Sequence, residues 1–99
     1  MKRLFMVELE LPEVIDNDFM KMIPAHRAYI SQLINDGTIQ SYSINAERTL
    51  GWIIFNCKNV EAVFEIVEQF PIYKYISIQV HDLMIHDSEA FRFPKMHMN

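Results

Sequence analysis

The chain has one cysteine, Cys57, in 99 residues, so it cannot form an internal disulfide. With only two glycines it offers no glycine-rich phosphate-binding loop. Nine Lys and Arg face thirteen Asp and Glu, a net charge of −4, and no basic stripe is visible. Nucleic-acid binders and membrane-surface helices usually carry one, so neither kind of partner is expected. No apolar run is long enough to span a bilayer. Lys2 and Arg3 precede an apolar stretch, but Glu8 and Glu10 interrupt it and no small-residue cleavage site follows. No secretory leader is therefore expected, and a cytoplasmic location is the default. The sequence shows no repeat, linker or low-complexity segment, and no Ser-His-Asp constellation can be argued from spacing.

What is present is apolar. Hydrophobic residues make up 51% of the chain, with seven Phe and seven Met. A domain this small leaves apolar surface uncovered, so a homodimer or larger homo-oligomer is expected. Residues 1–87 read as one domain. Residues 88–99 are less regular, but Phe91, Phe93, Met96 and Met98 are too apolar for a free tail. This tail is expected to pack on its own or a neighbouring subunit.

The hydrophobic pattern gives the element order. Residues 3–11 alternate, with Phe5, Val7, Leu9 and Leu11 on one face of a strand and Leu4, Met6, Glu8 and Glu10 on the other. Asp16 or Asn17 can cap a helix that runs to about Asp36, with Gly37 supplying a left-handed residue beyond it. Pro24 falls inside that span and predicts a kink or a separate first piece. Phe19, Ile23, His26, Ile30 and Leu33 form a stripe that should face a sheet. Residues 38–44 and 50–56 read as a hairpin joined by 45–49. Asn59 caps a second helix whose apolar face is Val60, Val63, Phe64, Val67 and Phe70, and 76–82 forms a β-branched last strand. This β-α-β-β-α-β order is the ferredoxin-like split motif, an α+β fold. Right-handed crossovers put both helices on one face of a four-stranded antiparallel sheet. A second subunit is the simplest cover for the other face, giving a dimeric α+β barrel.

Several blocks resemble the muconolactone isomerase family in collinear order. They are Leu4-Phe5-Met6-Val7, Leu11-Pro12, Ile15-Asp16, then Ala28, Leu33 and Gly37, then Phe55 and Asn59-Val60-Glu61-Ala62. The best-matched block, Phe70-Pro71-Ile72-Tyr73-Lys74-Tyr75-Ile76, is similar to that family's Leu-Pro-Leu-Phe-Pro-Tyr-Met run. The resemblance implies a dimeric α+β barrel and a cofactor-free isomerase acting on a lactone. The family's second strand is rich in Arg and Trp, whereas Ile39-Gln40-Ser41-Tyr42-Ser43-Ile44 carries no cation, and His26 replaces an acidic residue of the first helix. Pro24-Ala25-His26 with Leu33 and Gly37 also resembles the YCII-related proteins, which pair such a histidine with an aspartate on the second strand. Gln40 stands near that place here.

A third likeness is to the RNA-recognition motif, through Leu4-Phe5-Met6-Val7-Glu8-Leu9 and the run from Arg48 to Phe55. That family stacks bases on sheet aromatics. Leu50 replaces one such aromatic, Thr49 replaces a glycine, and the negative charge opposes phosphate binding, so this reading ranks below the others.

His26 is the first candidate for chemistry, as the one titratable group on an apolar helix stripe. A neutral imidazole there is a base near neutral pH, or else a core histidine bonded to a strand. Glu8 is a candidate acid or base, or an ordinary solvated carboxylate. Tyr42 can donate to an oxyanion. Met6, Ser41, Trp52 and Tyr73 are candidate pocket residues, with plain packing as the alternative. Tyr42 and the serines cannot share one strand face. His81, His86, Asp82 and Asp87 lack ligand spacing, so no metal and no cofactor is expected. The expected function is a proton shift on a lactone or unsaturated acid bound between the sheet and the first helix, of isomerase or lyase type. The alternative is a non-catalytic ligand-binding or assembly domain on the same fold.

Overall fold

The computed structural model describes residues 2–88. In chain order it contains β1 (Arg3–Glu10), α1 (Asn17–Asn35), β2 (Ile39–Ile44), β3 (Leu50–Cys57), α2 (Val60–Val67), a 3-10 turn at Tyr73–Tyr75, and β4 (Ser77–Asp82). The strands pair antiparallel in the order β2-β3-β1-β4. This is the ferredoxin-like α+β arrangement that the alternation predicts. Phe91, Phe93, Met96 and Met98 lie outside the described residues. Among the described residues, no helix is long and apolar enough to cross a membrane.

Strict alternation on β1 sends Phe5, Val7 and Leu9 inward, and all three are fully buried. The register sets Val7 opposite Ile53 and Phe5 opposite Phe55, so β3 contributes the same face to the core. α1 adds Phe19, Ile30 and Leu33, and α2 adds Val63 and Val67. Burying each such large side chain stabilises the fold by about 1.5–3 kcal/mol. Both helices thus cover one side of the sheet. Phe64 is the exception to the predicted second-helix face and is 41% exposed. Val60, Val63 and Val67 already fill the sheet-facing stripe of this short helix, and Phe64 lies one residue around from it.

Asp16 caps α1, its side chain accepting from the Phe19 amide at 2.9 Å. Gly37 follows the helix with φ +86°, a conformation that costs a glycine nothing. Pro24 neither kinks α1 into pieces nor delays its start. The helix runs unbroken from Asn17 to Asn35. Pro24 and Met20 are both exposed, so the carbonyl that loses its partner faces water.

The β2–β3 hairpin brings two backbones close at Gly51. A Cβ there would lie 2.6 Å from Ile44 Cδ1 and 3.0 Å from the Ser43 carbonyl oxygen. Gly51→Ala is therefore expected to destabilise the chain by about 1–3 kcal/mol through overpacking, read by urea unfolding. A variant as stable as the parent would show that the hairpin yields freely.

Candidate active site

His26 is the one buried polar side chain among the described residues, at 2% exposed. It sits in the middle of the α1 stripe, so helix periodicity drives it against the sheet. Its Nε2 lies 2.8 Å from the Tyr42 hydroxyl on β2. The Phe70 ring meets the imidazole edge to face at 5.1 Å, while Nδ1 is buried with no partner among the described residues. Burial strips water from the ring and lowers the His26 pKa from 6.5 to about 4, so the imidazole is neutral at physiological pH. Burial also raises the Tyr42 phenol above its usual value, opposed in part by the positive charge of Arg27.

A bulge puts Tyr42 in this position. β2 and β3 shift register between Ile39 and Ser41, with Gln40 as the extra residue. Ile39 pairs with inward Phe55, and Tyr42 pairs with inward Ile53. Without the bulge, strict alternation from Ile39 would turn Tyr42 to the opposite face. Gln40 itself does not meet His26. Its buried Oε1 has no partner among the described residues, and its neighbours include Ser41 and Asn56 in a separate groove. The partner of His26 is thus a phenol two residues beyond the place where the aspartate of a His–Asp pair was expected.

His26 and Tyr42 stand at the wall of a cleft of about 580 Å³ between α1 and the β2 end of the sheet. That volume suits a small ligand. Leu11, Ile23, Ile30, Ile34, Ile44 and Ile72 supply much of its apolar lining. The polar lining residues are His26, Arg27, Ser31, Tyr42 and Arg48, and no carboxylate is among them. Arg27 follows His26 on α1, and Arg48 belongs to the β2–β3 hairpin. Neither was singled out from sequence, because periodicity marks buried positions and both arginines are exposed.

The other candidates do not join this cleft. β1 register places Met6 opposite Ile54 and Glu8 opposite Trp52, and β2 places Ser41 opposite Ile54. These four share the sheet face turned away from the helices, because side chains alternate along a strand. Glu8 is therefore separated from His26 by the sheet and cannot assist it directly. Tyr73 is 42% exposed in the turn after α2 and does not line the cleft. Its neighbour Tyr75 packs edge-on against Phe19, a cleft residue, at 5.3 Å. Asp82 forms an ion pair with Arg3. On the outer face, Glu8 lies beside Trp52 and Glu10 beside Leu50. Carboxylates beside the two base-stacking positions weigh against RNA binding.

Residues 1–89 match the family model described as muconolactone delta-isomerase. Among solved structures, a crystal structure of muconolactone isomerase matches with a TM-score of 0.71 and 24% identity. The match covers 91% of this chain and 97% of that one, and at this identity the likeness is one of fold. No curated protein matches.

Proposed function

This chain belongs to the muconolactone delta-isomerase family, and we propose that it is an isomerase that moves a proton along an unsaturated lactone held in the cleft between α1 and β2. The observation that carries this reading is the contact between buried His26 and half-buried Tyr42 at the wall of an apolar cleft. An assembly domain would have no need of such a cleft.

The reaction uses the imidazole tautomer protonated at Nδ1, in which the Tyr42 hydroxyl donates to Nε2. A lactone carbonyl oxygen arriving beside Tyr42 takes over that donor and frees the Nε2 lone pair. The C–H bond at the ring carbon γ to the carbonyl then breaks, and its proton passes to Nε2. The electron pair shifts through the double bond onto the carbonyl oxygen, where Tyr42 stabilises the enolate. The proton returns at the α carbon, so the double bond migrates and no atom is gained or lost. The step requires no cofactor. The buried surroundings of His26 and the half-buried Tyr42 lower the local dielectric, which strengthens the Tyr42 hydrogen bond to the enolate.

The outer sheet face carries Leu4, Met6 and Trp52 half-buried and Ile54 at 4% exposed. A second copy of the chain is the proposed cover. Sedimentation is expected to give at least twice the chain mass, and a monomer at micromolar concentration would contradict this. A cytoplasmic location belongs to the same proposal.

The test is incubation with muconolactone in D2O, followed by proton NMR. Migration of the ring double bond with deuterium entering at the α carbon is expected. No turnover of muconolactone or of any related unsaturated lactone would overturn the proposal.

A further inference from the structure

We propose that Phe70 is a positioning residue for His26, its ring face receiving the Nδ1–H and so selecting the tautomer that leaves the Nε2 lone pair for the reaction. The inference rests on the reading of His26 as the base of this cleft and adds the residue that prepares it.

A neutral imidazole carries its proton on one nitrogen or the other, and burial keeps His26 neutral. Tyr42 does not decide which. Its hydroxyl, 2.8 Å from Nε2, can donate to a bare nitrogen or accept from a protonated one. The choice therefore falls to the surroundings of Nδ1. That atom is buried, with no hydrogen-bond partner among the described residues. The aromatic rings against the imidazole among the described residues are Tyr42, on the Nε2 side, and Phe70.

The imidazole and Phe70 rings have centroids 5.1 Å apart and planes at 74°. In such a T-shaped pair the edge of one ring points at the face of the other. An aromatic face is negative, so it attracts an N–H and repels a nitrogen lone pair. With Nδ1 toward that face, the tautomer protonated at Nδ1 is favoured, because the other sets two negative regions against each other. The same contact gives a buried N–H an acceptor that it otherwise lacks.

The fold holds Phe70 in this place. It is 3% exposed and does not line the cleft, whereas His26 does, so it touches the base and not the ligand. Its amide donates to the Val67 carbonyl at 3.0 Å as α2 ends, and its carbonyl accepts from the Tyr73 amide at 2.9 Å. Tyr29, on the same helix as His26, packs against its ring at 5.9 Å with planes 80° apart. Backbone bonds on both sides and a second aromatic neighbour thus fix the ring.

The test is nitrogen-15 NMR of the His26 ring in the whole chain at neutral pH without ligand. Three forms are compared: the wild type, Phe70→Leu, and a chain carrying pentafluorophenylalanine at position 70. Fluorination reverses the charge of the ring face and nearly keeps its shape. The wild type is expected to show a protonated Nδ1 and a bare Nε2. Both variants are expected to shift the tautomer ratio toward protonated Nε2 by roughly threefold to tenfold, the fluorinated ring more than leucine. Across the three forms kcat for the lactone should track the fraction protonated at Nδ1, with KM unchanged, since Phe70 does not meet the ligand. A residue that only fills the core would leave the fluorinated chain with the wild-type ratio. That result, or a wild type protonated at Nε2, would overturn the inference, and the fluorinated chain decides it even where Phe70→Leu unfolds. The tautomer ratio does not depend on turnover. A chain whose tautomer obeys Phe70 yet isomerises nothing keeps this inference and loses the isomerase reading. A chain that isomerises the lactone with a tautomer indifferent to Phe70 does the reverse.

Discussion

Replacing His26 by glutamine is expected to lower kcat for the lactone about 10²–10⁴-fold, the usual loss when a positioned general base is removed. The change should fall on kcat more than on KM, because the imidazole acts at the reacting carbon and the cleft walls still bind the ring. Glutamine keeps a polar group near the Tyr42 hydroxyl, so the 2.8 Å contact retains a partner and the core keeps its volume. Tyr42→Phe should lose less, about 10²–10³-fold, since it removes one donor to the enolate oxygen and leaves the base. Steady-state kinetics on the two variants, with unfolding curves as a fold control, check the ranking. A His26→Gln enzyme with wild-type kcat would remove the histidine from the chemistry.

The second large effect is on stability at acid pH. The His26 pKa falls from 6.5 to about 4 on folding, so between those values the unfolded chain binds a proton that the native chain does not. Stability therefore rises with pH across this window and is lost as pH falls from about 6.5 toward 4. The full loss is roughly 3 kcal/mol, a large fraction of the stability of a small domain. Carboxylates also titrate near the lower end, so the informative quantity is a difference. Urea unfolding of the wild type and of His26→Gln at pH 7 and pH 4.5 should show a steeper decline for the wild type. Parallel declines would mean that His26 takes up protons equally in both states.

The sequence made part of this site legible and hid the rest for identifiable reasons. The stripe of Phe19, His26, Ile30 and Leu33 is a direct consequence of helix periodicity, and His26 was readable as its one polar member. Asp16 and Gly37 set the ends of α1 by cap chemistry that sequence displays openly. The partner of His26 was harder to read. Tyr42 faces inward because of a bulge at Gln40, and nothing in Ile39-Gln40-Ser41-Tyr42 announces an extra residue. Alternation puts Glu8 on the strand face opposite Phe5, Val7 and Leu9, and the structure keeps it there, beside Trp52 and away from His26. Arg27 and Arg48 escaped notice because they are 21 positions apart in the chain, and each looks like solvent-facing charge. A weak signal did exist, in a cation directly after the stripe histidine and another in a five-residue hairpin loop.

The family match and the geometry bear on different questions. Membership over residues 1–89 accounts for the fold and the type of protein. The His26–Tyr42 contact, the neutral imidazole and the carboxylate-free cleft are particulars of this chain, and the proposed chemistry stands on them.

The most direct measurement is nitrogen-15 NMR of the His26 ring across pH 3.5–8, with and without γ-butyrolactone, a saturated lactone that has no double bond to move. The account predicts a neutral ring down to about pH 4.5, a midpoint near 4, and an Nε2 signal that moves when the lactone occupies the cleft. A ring that titrates near 6.5, or whose signals ignore saturating ligand, would contradict a buried base at the wall of a working site.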